Sequence, residues 1–205
     1  MIAVTIHRGS NEIGGNCVEI ASDKSRLILD AGMPLSEMMD DRTSRRRKPD
    51  RDDLIRRGVI KHIPGLFSVG SKIGGILLSH AHGDHFGLIE YTRPRIPVYL
   101  SRGATKMLMS SALFAGQNEL PRERQKVLLP GKARRIGEFL VTGYLVDHSS
   151  YGSMAFLIEA GGKRIVYSGD LRVHGRKPGM AKVLLKAIRR APLDLLIMEG
   201  TSFPQ

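Results

Sequence analysis

Residues 77–87 read LLSHAHGDHFG, a short apolar segment that runs into a cluster of histidines. Three of the seven histidines of the 205-residue chain, His80, His82 and His85, fall within six positions, and Asp84 lies among them. Imidazole nitrogens and carboxylate oxygens are ligands that Zn²⁺ binds in proteins. A strand that ends in a tight glycine-containing loop can direct such side chains at a common centre. We therefore predict that His80 and His82 bind one ion and that Asp84 and His85 reach a second.

The alternative interpretation of this segment is a polar loop whose histidines cap the next helix. Capping needs a single side chain at the first turn of a helix, whereas four potential metal ligands are present in residues 80–85. The metal interpretation is therefore favoured. A helix is expected directly after the cluster, over Phe86–Tyr91.

The pattern His-x-His-x-Asp-His after an apolar strand resembles the motif of the metallo-β-lactamase fold. Other segments resemble the nucleic-acid-cleaving β-CASP branch of that fold, which includes ribonuclease J. Gly9–Asn16, for example, is similar to the glycine-rich loop that lies beside the active site in ribonuclease J-like proteins. The resemblance implies an α/β protein, an αββα sandwich of two halves packed sheet against sheet.

The resemblance also indicates which parts of the β-CASP family have no counterpart in this sequence. The β-CASP cassette and the last metal histidine of the family have no counterpart in the sequence, since no histidine follows His174. We therefore expect residues 1–205 to form one metallo-β-lactamase-like domain, truncated before the cassette, with its second half incomplete. Two zinc ions are expected, and the second lacks one protein ligand.

Three side chains at predicted strand ends add to the metal centre. The family places at Asp30 a carboxylate that supports the metal-binding loop without touching the metal. His148 is the best candidate for the third protein ligand that a catalytic zinc usually has, and it matches the Asp-His-Ser of β-CASP proteins. Asp170 follows a glycine at a strand tip, which suits a ligand that bridges two ions, and the family has its bridging aspartate there.

The resemblance implies further roles around this centre. Asp84 is expected to orient the attacking water or accept its proton, which makes it the predicted catalytic residue. Ser149 corresponds to a serine that contacts the substrate phosphate, and an acidic residue before threonine marks the entry to the cassette. The predicted substrate-binding residues are Ser149, Arg172, His174, Arg176, Lys177 and Glu199.

Composition narrows the class of substrate. The net charge of +12 attracts polyanions, and a hydrolytic metal centre in such a protein favours a phosphodiester substrate. Cys17 is the single cysteine, which excludes an internal disulfide and suits a reducing cytoplasm. No segment approaches the roughly 20 apolar residues of a membrane span, so no membrane association is expected.

Four segments outside the centre carry structural predictions. Residues 40–53 mix charges of both signs without apolar periodicity and predict a mobile surface loop. Apolar spacing predicts helices over Arg102–Ala115, with Ser101 as N-cap, and over Met180–Ala191, with Val183 in its apolar stripe. Leu193–Met198 is expected to form a final buried strand.

These observations predict a zinc-dependent hydrolase in which two ions activate a water to cleave phosphodiester bonds of nucleic acid, with RNA as the expected substrate. The alternatives are a metallohydrolase of a small ester, thioester or cyclic phosphate, and a non-catalytic zinc-binding remnant. Affinity for nucleic acid should fall steeply with salt, whereas a small-substrate hydrolase should show no such dependence. The incomplete half also predicts self-association or a completing chain, through an exposed sheet edge.

Overall fold

The computed structural model describes residues 1–40, 49–115 and 120–200. Two β-sheets form the centre of this part of the chain. The first has the order β1-β2-β3-β4-β5-β6, with β1 (Ala3–Arg8), β2 (Cys17–Ala21), β3 (Arg26–Leu29), β4 (Gly75–Leu77), β5 (Val98–Ser101) and β6 (Gln125–Leu128). The second contains β7 (Ala133–Ile136), β8 (Phe139–Leu145), β9 (Met154–Ala160), β10 (Lys163–Tyr167) and β11 (Leu195–Ile197), in the order β11-β10-β9-β8-β7.

Helices connect and cover these strands. They are α1 (Leu35–Asp40), α2 (Arg51–Arg56), α3 (Gly83–Phe86), α4 (Arg102–Ala115) and α5 (Pro178–Ile188), with 3₁₀ turns at Ile89–Tyr91 and Arg122–Arg124. In the first sheet β3, β4, β5 and β6 run parallel. In the second sheet all neighbours are antiparallel except β10 and β11. Parallel strands need crossover connections, and α4 makes the one between β5 and β6.

Side chains alternate between the two faces of each strand, as a period of two residues requires. Leu27 and Leu29 of β3 pack between the sheets, where Phe139 and Phe156 of the second sheet meet them. Ile28, between the two leucines, packs on the outer face with residues of α4. On the far side, α5 packs against the outer face of the second sheet through Leu184. The predicted αββα sandwich is confirmed.

The local predictions differ in their outcome. The helix over Arg102–Ala115 is confirmed, and the Ser101 hydroxyl accepts the backbone N–H of Ala104 as an N-cap. The helix expected over Phe86–Tyr91 is wrong, because α3 already begins at Gly83 inside the histidine cluster and ends at Phe86. A separate 3₁₀ turn follows it.

The two ends of the charged segment 40–53 are helical, since Asp40 is the last residue of α1 and Arg51 the first of α2. Residues 41–48 lie outside the described residues. Helix α2 begins at Arg51, and the Asp50 carboxylate caps it by accepting the backbone N–H of Asp53. A carboxylate at this position satisfies a helix N–H and interacts favourably with the helix dipole.

The end of the second sheet is more exposed than the sequence predicts. Strand β11 pairs with β10 alone among the described strands, and Leu196 is 49% exposed, so the prediction of a buried strand is wrong. Val183 is 59% exposed although it shares the apolar stripe of α5. Among the described residues, α5 covers only part of the outer face of the second sheet. The expected self-association through this edge stays a prediction.

None of the helices in residues 1–40, 49–115 and 120–200 combines the length and the apolar character that a membrane crossing requires.

Candidate metal centre

The histidine cluster spans the loop after β4 and the short helix α3, at one edge of the two sheets. His82 has an extended backbone and stands at the N-cap of α3, yet its side chain makes no capping hydrogen bond. The first turn is closed by the backbone instead, since the carbonyl of His82 accepts the N–H groups of His85 and Phe86. The imidazoles are therefore not used as helix caps, and the alternative interpretation of this loop is not supported.

Three imidazoles converge at this edge. His82 Nδ1 lies 3.1 Å from His80 Nε2 and 3.2 Å from His148 Nε2. The ring centroids of His80 and His148 are 4.7 Å apart although the residues come from different sheets. These three residues form a group whose nitrogens could hold one metal ion. The sequence predicted this set.

A second group lies beside the first. His80, Asp84 and His85 also have potential ligand atoms within reach of one ion. Asp170 lies between the two groups: its Oδ1 is 3.1 Å from His85 Nε2, and its Oδ2 is 3.6 Å from His148 Nε2 and 3.9 Å from His80 Nε2. The two oxygens thus face different groups, which is the arrangement that a bridging carboxylate needs.

Asp30 organises the residues behind these groups. It is fully buried, and its carboxylate accepts hydrogen bonds from the Ser79 backbone N–H and hydroxyl, each at 2.7 Å. It also accepts from His85 Nδ1 and from the Tyr167 hydroxyl, again at 2.7 Å each. Because a carboxylate only accepts, His85 must carry its proton on Nδ1 and can present Nε2 to a metal.

Ser79 orients the His80 ring in a similar way. The Ser79 hydroxyl donates to Asp30, and His80 Nδ1 lies 3.0 Å from its oxygen. The oxygen can therefore accept the His80 Nδ1–H, which leaves His80 Nε2 free to face the other imidazoles. One buried carboxylate thus fixes the orientation of two potential ligands, directly and through a hydroxyl.

The glycine-rich loop packs onto the other side of the centre, as its resemblance implies. The side-chain amide of Asn16 lies 3.0 Å from His85 Nε2, and the Asn16 backbone N–H donates to the carbonyl of Asp84 at 3.2 Å. Gly32 lies beneath the same carbonyl, so closely that a Cβ atom on Gly32 would collide with the backbone oxygen of Asp84. Glycine is required here by close packing of two backbones.

Replacing Gly32 with alanine should therefore displace the loop that carries Asp84. We expect the free energy of unfolding to fall by about 3 kcal/mol, because overpacking against backbone cannot be relieved by a side-chain rotation. Chemical denaturation measures this change. Gly179→Ala in the first turn of α5 is the matched control, since nothing lies within 4 Å of its added methyl group. Equal stability of the two variants would contradict the packing argument.

The pKa values of the residues in this centre indicate whether they suit a cation. Burial disfavours a charge on His85, but the carboxylates of Asp30 and Asp170 outweigh it and raise the pKa of His85 to about 10. Burial and the neighbouring His85 lower the pKa of His80 to about 2. Burial acts to raise the pKa of Asp170, but its hydrogen bond to His85 and the charge of that residue lower it to about 2. Positive charge is thus stabilised between the carboxylates, and neutral imidazole nitrogens converge beside it, so the residues fit divalent metal ions.

The predicted substrate-binding residues lie around this centre and not in it. The Ser149 hydroxyl is 3.5 Å from His148 Nε2 at the exposed surface. Asp147 holds the segment after Asp170, because its backbone carbonyl accepts the N–H of Arg172 and its carboxylate accepts the N–H of Lys177. The side chains of this segment are exposed, namely those of Arg172, His174, Arg176 and Lys177. His174 belongs to neither metal-ligand group.

Glu199 has a partner within the protein. Its carboxylate accepts the backbone N–H of Leu171 at 2.7 Å, and its own N–H donates to the Ser168 hydroxyl. Both contacts fix the loop that carries Asp170. The structure therefore gives Glu199 a supporting contact behind the centre, where the sequence suggested a contact with substrate.

Three residues of this network were missed as functional candidates. Ser79 and Tyr167 bind Asp30, and Asn16 contacts His85. Ser79 stands directly before the histidine cluster, which is a usable signal because strand-end residues point towards the same edge. Tyr167 carries no local signal, since only the packing of the two sheets brings it to Asp30.

Comparison with known proteins gives a consistent result. Residues 53–205 match the family described as "Beta-lactamase superfamily domain". Ribonuclease J of Helicobacter pylori is 28% identical over 180 residues, which cover 84% of this chain and 23% of that protein. The RNase J-like protein of Methanocaldococcus jannaschii is 25% identical over 211 residues, covering 98% of this chain and 43% of that protein. The chain therefore spans less than half the length of these relatives.

Solved structures share the fold. A protein of unknown function from Enterococcus faecalis V583 superimposes with a TM-score of 0.79 and 27% identity, covering 100% of this chain and 51% of that one. Zn²⁺-bound PqqB from Methylobacterium extorquens gives a TM-score of 0.56 at 17% identity, covering 91% of this chain and 60% of that one. The latter likeness shows the sandwich architecture alone.

Proposed function

The chain belongs to the β-lactamase superfamily, and from this membership and its metal centre we propose that it is a metal-dependent hydrolase that cleaves phosphodiester bonds of RNA. Its predicted resemblance to ribonuclease J-like proteins is confirmed by relatives of that name at 25–28% identity. The observation that carries the proposal is the convergence of imidazoles from the central loop and from His148 on one centre with Asp170.

We assign the metal ligands from this geometry. His80, His82 and His148 would hold one zinc ion, since three histidines are a common protein ligand set of catalytic zinc. Asp84 and His85 would hold a second, and Asp170 would contribute one oxygen to each. Ions bound there would lower the pKa of a coordinated water to about 7 and neutralise charge on the phosphoryl oxygens.

The protein's own groups perform the remaining tasks. Asp30 keeps the His85 proton on Nδ1, so that Nε2 stays available to a metal. Asp84 is only partly buried, and its Oδ2 lies 3.7 Å from His85 Nε2, where it can orient an attacking water and accept its proton. Arg172, Arg176 and Lys177 stand exposed beside Asp170 and would contact the phosphate backbone.

Two features favour RNA over a small ester as substrate. Two relatives that match 98% of this chain carry the names RNase J-like protein and ribonuclease J. The chain carries 32 basic against 20 acidic residues, and Arg172, Arg176 and Lys177 lie in the segment that follows the proposed bridging carboxylate. Such a charge distribution raises the encounter rate with polyanions, whereas an uncharged ester gains nothing from it.

Reconstitution tests the proposal. The chain is stripped with a chelator and titrated with Zn²⁺, and bound metal is measured by mass spectrometry beside hydrolysis of labelled single-stranded RNA. We expect two ions per chain and RNA cleavage that depends on them. Hydrolysis of a thioester with RNA left intact would contradict the proposal, as would failure to bind zinc. A parallel assay with a DNA strand of the same sequence shows whether the protein distinguishes ribose from deoxyribose.

A further inference from the structure

A cavity of about 350 Å³ opens beside the metal centre. It lies between the end of β5, the start of α4, the ends of β6 and β8 and the start of α5, and His148 forms part of its wall. Its volume falls at the lower end of the range of small-molecule sites, about 300–1,000 Å³, and suits one nucleotide. A ligand seated there would touch a proposed metal ligand.

The wall of this cavity is apolar and aromatic in one part and cationic in another. Leu128 and Leu145 contribute apolar surface from the ends of β6 and β8, and Tyr151 adds an aromatic ring that is 60% exposed. Arg102 and Lys177 contribute cations. A nucleotide has the matching division, because its base presents an apolar face and its phosphate a negative charge.

The acidic residue in this wall, Asp147, is hydrogen-bonded to the backbone of the segment after Asp170. The Asp147 carboxylate accepts the backbone N–H of Lys177 at 2.7 Å and packs against Gly175. It is therefore engaged in holding the segment after Asp170. The cations of Arg102 and Lys177 have no other carboxylate among the described residues that line the cavity.

The frame of the cavity is rigid. The Ser101 hydroxyl donates to the carbonyl of Gly152 and accepts the N–H of Ala104, which joins the loop carrying Tyr151 to the start of α4. Gly103 packs so closely on Gly152 that a Cβ atom on Gly103 would lie 2.7 Å from the Gly152 Cα. A site formed before binding avoids the entropy cost of ordering loops around the ligand.

We infer that this cavity binds the nucleotide that adjoins the bond being cut, with its base on Tyr151 and the apolar wall and its phosphate at Arg102 and Lys177. This inference rests on the proposed function, because it takes the strand cleaved at the metal centre as its ligand. It assigns Arg102 and Tyr151 roles in binding that the sequence did not suggest.

Binding of a short fluorescein-labelled oligouridylate, followed by anisotropy in EDTA over a series of salt concentrations, tests the inference. We expect Tyr151→Ala to weaken affinity about tenfold at every salt concentration, since stacking is independent of charge. Tyr151→Phe should retain wild-type affinity. Arg102→Ala should lower the slope of log affinity against log salt by about 0.7, the value for one phosphate contact of a single strand, and Arg102→Lys should keep the slope.

Lys182→Ala is the matched control, because it removes one charge from the exposed side of α5, outside the cavity. Its slope should equal that of the wild type. The inference is overturned if Tyr151→Ala binds as tightly as the wild type, if Arg102→Ala and Lys182→Ala change the slope equally, or if the wild type does not bind. Because EDTA prevents hydrolysis, these affinities are independent of the zinc-dependent cleavage that tests the proposed function.

Discussion

Replacing Asp30 with alanine is expected to lower the free energy of unfolding by about 3–5 kcal/mol, the range for removing one partner of a buried charged network. The carboxylate is fully buried and accepts four hydrogen bonds, from Ser79, His85 and Tyr167. Alanine removes the acceptor of all four hydrogen bonds. Alanine also has to adopt a backbone φ of 59°, a left-handed conformation that aspartate tolerates better because its side chain can form local hydrogen bonds.

Two variants separate these causes. Asparagine populates the left-handed region readily, so Asp30→Asn keeps the backbone and removes the charge. Tyr167→Phe removes one donor and should cost about 1 kcal/mol. Urea denaturation with a chelator present measures all three variants without a contribution from bound metal. A loss below about 1 kcal/mol for Asp30→Ala would contradict the importance of this network.

The same variants report on the metal centre. Because the His85 ring is oriented by its hydrogen bond to Asp30, Asp30→Asn should weaken zinc binding by about 10–100-fold, the usual effect of losing the partner of a metal-binding histidine. Competition with a chromogenic chelator measures this affinity. Tyr167→Phe, which leaves the bond between His85 and Asp30 intact, should change zinc affinity far less.

Replacing His82 with alanine is expected to lower RNA hydrolysis by about 10³-fold or more, which corresponds to about 4 kcal/mol of transition-state stabilisation. His82 Nδ1 faces the Nε2 atoms of both His80 and His148, so its removal takes one of three nitrogens from the proposed first ion. Bound zinc should fall by one ion per chain. Single-turnover cleavage and metal analysis of the same samples provide the two measurements.

His62 offers the matched control for this substitution. It is exposed and belongs to neither group of potential metal ligands in the described part of the chain. His62→Ala should retain both zinc ions and the wild-type rate. If His82→Ala retained them as well, or if both variants lost activity equally, the assignment of His82 to the metal centre would be wrong.

The histidine loop illustrates how far the sequence alone can predict this site. His80, His82, Asp84 and His85 are recognisable because their spacing is local, and His148 because a zinc ion with two ligands lacks a third. The contacts of Asp30 with Ser79 and Tyr167 span 49 and 137 residues along the chain. No local pattern encodes such pairings, since the first requires β3 and β4 to pair within one sheet and the second requires the two sheets to pack.

The region of α5 and β11 shows which features of the fold the sequence could not predict. Helical spacing correctly indicates which residues share a face of α5, and Leu184 on that face is buried. Periodicity does not determine how wide the covered strip is, which is why Val183 remains exposed. Apolar composition likewise predicted β11 as a strand but not its place at the margin of the sheet, where burial depends on neighbours.

The hydroxyl of Tyr167 on Asp30 has a consequence for biosynthesis. The four side chains of the central loop leave the ribosome well before Tyr167 and Asp170, which orient and join them. A nascent chain that stops short of β10 would expose imidazoles whose tautomers and spacing are not yet fixed. We therefore expect selective binding of a metal ion at this centre to require that the two sheets have packed together.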